Sequence, residues 1–280
     1  MRAAADLADE FRRTGILILR NAFSADAARG MQEAFWAFVQ RHYDIRRDDP
    51  GTWPDGRGNV GLKQLRRSSV FTPFYDNPTV RHALDAVYAA TGWLEPKAGT
   101  QILHTFPMPG PWVLPSRGWH IDCGFEQPSF PVSAVKLFGF FGEVGPGGGG
   151  TLLLSGSHRL VDQYRPRLAG PTPGNTGTWG QFMTQHPALA ELYRGGNAAD
   201  SGRQLLNRPY EVDGVEVEAI ELTGQPGDVV ITHLHTFHCA APNAVATPRL
   251  MLGKPIYAVD AQRPSGQDEH ADRQPAAIAS

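Results

Sequence analysis

The 280-residue sequence has only two cysteines, Cys123 and Cys239, too few for a disulfide framework. It has no run of about 18 apolar residues, so a helical membrane span is not expected. The opening "MRAAADLADEF" is charged throughout and lacks the apolar stretch of a secretory signal, which makes cytoplasmic residence the expectation. An excess of one charge is also missing, since 26 basic residues stand against 28 acidic ones. Such a chain builds no field for a polyanion, so neither nucleic acid nor a membrane is an expected partner. Nothing in the composition fixes an oligomeric state.

Turn-forming residues, by contrast, are abundant. The 31 glycines and 23 prolines predict many turns. Residues 6–20 read as a short helix, a glycine break and the strand-like "ILIL". Ser24 is placed to cap a helix in which Met31, Phe35, Phe38 and Val39 recur at helical spacing. "NPTVRHALDAVYAATG", 77–92, predicts a second helix with proline in its first turn and glycine at its end. From residue 99 the texture changes to short apolar runs between turn signals: "TQILHTF", "SAVKLFGFFGEV", "GGTLLLSGSH", "VEVEAIELT", "GDVVITHLHTFH" and "RLMLGKPIYAVD". Regularly spaced short strands predict a sandwich or a closed barrel.

The expected organisation is one domain over 1–260. It has a helical part over about 1–95, a β core over about 96–258 and a lid-like insertion over about 159–223. The insertion is expected to hold one helix, around 185–194, in otherwise irregular chain. Residues 44–70, with the basic cluster "KQLRR" at 63–67, read as a polar loop and a second lid candidate. Residues 261–280 read as a disordered tail.

Chemistry gathers in two places. "GWHIDCGF" sets His120 and Asp122 two residues apart, and "GDVVITHLHTFHCAAPN" offers His233, His235 and His238. Two histidines and one carboxylate make the facial triad of non-haem Fe(II) oxygenases, which leaves the opposite face of the metal open. A fourth protein ligand would suit structural zinc and would block reaction. Strand alternation puts 233 and 235 on one face and 238 on the other unless the chain bends, so periodicity does not select the third ligand.

Taken in order, "WHID", "GGTLLLSGSH", and "HCAAPN" followed eleven residues after His238 by Arg249 resemble the phytanoyl-CoA dioxygenase family of Fe(II)/2-oxoglutarate-dependent oxygenases. "EFRRTGILILRNAFSADAA" is similar to the family's opening. The resemblance spans roughly 8–258 and is weakest over 159–223. It implies a mainly β fold, with a double-stranded β-helix (jelly-roll, cupin-like) core and flanking N-terminal α-helices. It also implies Fe(II), 2-oxoglutarate and O2 as cofactors, and hydroxylation or other oxidation of an unactivated C–H bond of a small-molecule substrate, with release of succinate and CO2.

Residue by residue, the resemblance implies His120, Asp122 and His238 as iron ligands and Arg249 as the grip on the far carboxylate of 2-oxoglutarate. A planar guanidinium suits that role, holding a carboxylate by two charge-assisted hydrogen bonds. An arginine inside "RLMLGKPIY" is not expected to lie free in solvent. His104, before "FPMPG", stands where family members place a polar cosubstrate contact. Phe138 stands where an aromatic lines the cosubstrate pocket.

Lys136 shares a strand face with Phe138 and Phe140. Facing inward its ammonium needs an anion; otherwise it is a strand-edge lysine. His233 and His235 read as packed or hydrogen-bonded histidines. Cys123 and Cys239 alternate away from the metal, and "GPGGGG" at 145–150 reads as a flexible turn. The sequence departs from the family pattern at Ser155, where proline is usual, and at Ala240 and Ala241, where serine and glycine are usual. The presence of Asp122 argues for oxygen transfer and against halogenation. Two competing readings use the same residues: a non-catalytic cupin-like binding module with a structural or vestigial metal, and a zinc hydrolase. The hydrolase needs a general base that "WHIDCGF" does not supply.

Overall fold

A computed structural model describes residues 2–116, 118–123, 128–168, 180, 182–194 and 202–261. The expected tail lies outside the described residues apart from Ala261, as do parts of the expected lid over 159–223.

Among the described residues, nine strands form two antiparallel sheets. In chain order they are β1 (Ile16–Leu19), β2 (Gln101–Thr105), β3 (Ala134–Phe140), β4 (Thr151–Ser155), β5 (Pro209–Val212), β6 (Val215–Glu221), β7 (Val229–His233), β8 (His238–Ala240) and β9 (Arg249–Tyr257). The five-stranded sheet runs β1-β7-β3-β9-β2, and the four-stranded sheet runs β5-β6-β4-β8. This is the double-stranded β-helix core, with the N-terminal helices outside it. The helices are α1 (Ala4–Thr14), α2 (Ala25–Tyr43), α3 (Thr72–Tyr75), α4 (Pro78–Val87), α5 (Ser157–Leu168) and α6 (Pro187–Tyr193).

Local signals start these helices where the sequence places them. Ser24 accepts from Ala27 N at the head of α2, and Asn77 from Val80 N at the head of α4, with Pro78 in the first turn. α2 buries Met31, Phe35, Trp36 and Val39. Each such side chain contributes about 2 kcal/mol when removed from water.

Strand alternation then sorts the side chains into three layers. Outside the larger sheet, Leu17, Val135, Leu137, Ile231, Leu250 and Leu252 pack with α1, α2 and α4. Between the sheets lie Leu103, Phe138, Phe140, Leu153, Val230 and Met251. Outside the smaller sheet, Leu152, Leu154 and Cys239 pack with Leu160 of α5 and with Leu189 and Leu192 of α6.

The 159–223 segment is less irregular than expected. α6 covers the helix predicted around 185–194, but α5 and the hairpin β5–β6 also fall inside the segment. The hairpin turns at Asp213 and Gly214, both at positive φ, as a two-residue connection requires. β6 pairs with β4 over Leu152–Ser155, so this stretch is core sheet. Its polar alternation (Glu216, Glu218) reflects a strand with one wet face.

Candidate metal centre

β7 and β8 belong to different sheets, and the chain turns between them, with Thr236 N donating to His233 O at 2.9 Å. That turn brings His238 to the interior beside the segment carrying His120. His120 N donates to His238 O, and His238 N to His120 O, both at 2.9 Å. Asp122 N donates to Leu234 O at 3.3 Å, tying the same segment to the turn.

The side chains converge. One donor atom each from His120, Asp122 and His238 lies within 4.8 Å of the others. Asp122 Oδ1 is 3.5 Å from His238 Nε2 and 3.8 Å from His120 Nε2. A metal with bonds of about 2.1 Å at right angles holds its donors about 3 Å apart, so the set needs only a small contraction.

The tautomers are set by backbone acceptors. His120 Nδ1 lies 2.7 Å from Gly118 O, and His238 Nδ1 lies 3.0 Å from Thr236 O. A carbonyl only accepts, so each Nδ1 carries the proton and each Nε2 is left with its lone pair. Burial pushes the His120 imidazole down to about 4, favouring its neutral form. Burial pushes the Asp122 carboxyl up, but the Lys136 ammonium leads the groups that outweigh it and hold the carboxyl well below the usual carboxylate range. A neutral His120 imidazole and an ionised Asp122 carboxylate are protonation states a divalent cation binds, and His238 sets its Nε2 beside them. This donor set fits iron.

Arg249 is buried, on the interior-facing side of β9, in register with Thr105 of β2. Its Nη1 donates to Gly149 O at 2.5 Å, while its Nε has no hydrogen-bond partner among the described residues. Burial, with Arg57 nearby, lowers the guanidinium to about 9. A buried cation with an unused donor is matched by an anionic guest.

The register of β4 orders the interior. Leu153 pairs with His238, Thr151 pairs with Ala240, and two residues further on Gly149 meets Arg249. Ala240 is exposed although the nine residues before it are buried. Along β4, the positions that meet His238 and Arg249 are four residues apart, about 13 Å of strand.

Phe138 also faces the interior, 2% exposed, with its ring 6.5 Å from that of His238. His104 does not face the interior. Leu103 and Thr105 do, so one residue of offset turns His104 to the outer layer, where it packs on Phe35 and Phe106 and its Nε2 lies 3.2 Å from Arg57 O. This placement does not favour the cosubstrate contact expected at His104. The polar side chains that β2 sends inward are Gln101, whose Oε1 is buried without a partner among the described residues, and Thr105. The alternation of "QILHT" carried that signal.

Lys136 is not at a strand edge. β3 is the middle strand of its sheet, and Lys136 Nζ donates to Asp122 Oδ2 at 2.7 Å. His233 and His235 lie outside the donor set. His233 Nε2 lies 2.8 Å from Ser129 O and its Nδ1 accepts from His235 N; His235 Nδ1 lies 2.9 Å from Ser129 Oγ. "GPGGGG" is a close-packed turn rather than a loose one. Glu221, which the sequence did not single out, accepts from Gly147 N at 2.9 Å, and a Cβ on Gly150 would stand 1.9 Å from Leu222 O. Ser155, in place of the usual proline, donates to Thr14 O at 3.3 Å.

The profile of the phytanoyl-CoA dioxygenase (PhyH) family matches residues 11–251. The chain belongs to this family. Membership in these Fe(II)/2-oxoglutarate-dependent oxygenases carries the cofactors Fe(II), 2-oxoglutarate and O2. No curated protein matches the chain in sequence.

Among solved structures, this PhyH member is similar to SnoN, the non-heme alpha ketoglutarate dependent epimerase from nogalamycin biosynthesis. The identity is 18%, the alignment covers 99% of this chain and 91% of that one, and the TM-score is 0.55. It is similar to AviO1 from Streptomyces viridochromogenes Tue57 at 16% identity, covering 94% and 98%, with a TM-score of 0.55. It is also similar to the carbocyclase SnoK from nogalamycin biosynthesis at 17% identity, covering 96% and 90%, with a TM-score of 0.54. At these identities the likeness establishes the fold. No helix among the described residues is long and apolar enough to cross a membrane.

Proposed function

We propose that this PhyH member is an Fe(II)- and 2-oxoglutarate-dependent oxygenase that oxidises an unactivated C–H bond of a small molecule. The observation that carries the reading is the convergence of His120, Asp122 and His238, each imidazole with Nδ1 tied to a carbonyl and Nε2 turned to the shared point. Bound iron, with 2-oxoglutarate and O2, supplies C–H oxidation coupled to conversion of the 2-oxo acid to succinate and CO2.

The chain's own residues hold and orient. His120 and His238 offer their Nε2 atoms and Asp122 offers Oδ1. Arg249, anchored by Gly149 O, presents its remaining donors to the far carboxylate of 2-oxoglutarate. Phe138, buried with its ring 6.5 Å from that of His238, lines the space beside that ligand. Ala240 and Ala241 bring no hydroxyl to that space, so the guanidinium carries more of the carboxylate's binding here than a site with an added serine would require. A small-molecule substrate accords with the neighbouring folds, since SnoN is known in complex with Fe3+, alpha ketoglutarate and nogalamycin RO. The epimerase and carbocyclase among those neighbours keep oxidative outcomes other than hydroxylation within the reading.

The test is anaerobic titration with Fe(II) and 2-oxoglutarate, followed by a screen of compounds for stimulated succinate release. A metal–cosubstrate absorption band that depends on Arg249, with substrate-dependent succinate, supports the reading. Absence of the band favours a cupin-like binding module instead.

A further inference from the structure

The two oxygens of Asp122 have different partners. Oδ1 faces the imidazoles of His238 and His120, while Oδ2 accepts from Lys136 Nζ at 2.7 Å. The Lys136 and Asp122 side chains are 14% and 24% exposed, so this pair is far less screened by water than a surface ion pair. The lysine is also firmly placed. Its strand is paired on both sides, Thr232 Oγ1 donates to its carbonyl at 3.2 Å, and its ammonium lies 5.4 Å from the centre of the Phe138 ring. Asp122 is its only acidic partner among the described residues.

We propose that Lys136 is a positioning residue for the metal ligand: by holding Oδ2, it leaves Oδ1 alone to face the two imidazoles. This rests on the iron reading above. A carboxylate can present one oxygen or both to a cation. An Asp122 carboxylate that turned both oxygens to the cation would take a second coordination place on the face that cosubstrate and O2 need to find open. With Lys136 in place, that rotation breaks a charge-assisted hydrogen bond in a half-buried setting. Orienting partners of this kind set how tightly and in what geometry a site holds its metal. Arginine is not an equivalent, because its planar fork can grip both oxygens at once.

The test uses the full-length protein, stripped of metal and titrated anaerobically with Co(II) while its visible d–d absorption is followed. Lys136→Met removes the ammonium and keeps the stem, and Lys136→Gln keeps one neutral donor. The expected result is a Co(II) dissociation constant about 10–100-fold higher in Lys136→Met, with shifted d–d bands, an unchanged far-UV spectrum, and Lys136→Gln in between. A lysine that only supports the fold lowers the melting temperature and leaves the dissociation constant and bands unchanged, which overturns the proposal. If Lys136→Met does not fold, Lys136→Gln decides by the same two readouts. A wild type that takes up no Co(II) overturns the iron reading together with this one. Identical binding and bands in wild type and Lys136→Met overturn this one alone.

Discussion

His120 and His238 are joined through their backbones by a reciprocal pair of 2.9 Å hydrogen bonds, although 118 residues separate them in sequence. The spacing of the two imidazoles, with ring centres 4.3 Å apart, is therefore a property of the sheet framework and does not depend on a bound ion to draw them together. A preformed pair of nitrogens reduces the ordering cost of metal uptake.

His238→Ala is expected to abolish Fe(II) binding and turnover. His233→Ala is expected to keep Fe(II) affinity within a few-fold, because its nitrogens are spent on Ser129 O and His235 N. It is expected to lose about 1–3 kcal/mol of stability from the buried groups left unpaired. Fe(II) titration and denaturant melts separate the two effects. Full metal binding by the 238 variant would mean that the wrong histidine has been assigned.

Arg249→Leu is expected to leave Fe(II) binding intact and to weaken 2-oxoglutarate. Loss of a charge-assisted contact costs about 1.5–3 kcal/mol, which is roughly a 10–150-fold rise in the cosubstrate's Kd. Calorimetry of the Fe(II)-loaded protein measures it. A 2-oxo acid without the far carboxylate should bind wild type and variant alike.

Acid should unfold the apo protein early. Burial lowers His104 and His158 to about 4 and holds His233 well below the usual imidazole value. Below their unfolded value of about 6.5, the unfolded chain binds protons that the folded chain refuses, so stability falls as pH drops through the window from about 6.5 to about 4. Above pH 7 this contribution is flat. The loss approaches roughly 3 kcal/mol per such histidine at the lower end. Urea melts between pH 7 and pH 4.5 check the slope; a midpoint independent of pH in that window would contradict it.

Gly15→Ala is expected to destabilise by a few kcal/mol. Gly15 sits at φ +72°, and a Cβ there would stand 2.6 Å from His158 Nδ1 and 2.9 Å from Thr236 Oγ1. Both neighbours are buried, so neither can move aside at little cost. Thermal melts with Gly214→Ala as comparison isolate the contact, since Gly214 has a similar φ of +74° and nothing within 4 Å of its Cβ position.

Much of the β core was legible because its strands announce themselves by alternation and flanking turns. "TQILHTF" contains β2, "GGTLLLSGSH" contains β4, and "RLMLGKPIYAVD" contains β9. β5 was missed because "PYEV" is short, polar and begins with proline, which suits an edge strand and looks like loop. α5 was missed because charged residues interrupt its apolar positions. The ligand residue types and the Arg249 spacing were legible from the ordered motifs.

By itself, the sequence determined which side chains could hold a metal and an anion, where helices start, and the period-2 texture of the core. These follow from residue chemistry and from preferences a few residues long. Only the tertiary structure decided which histidine lies beside His120 and Asp122, which face His104 occupies, and which anion Lys136 meets. Each of those depends on how the chain crosses between two sheets or on which residue of a strand lies opposite which. A single turn at 234–237 or a one-residue offset reverses the outcome without changing any local preference.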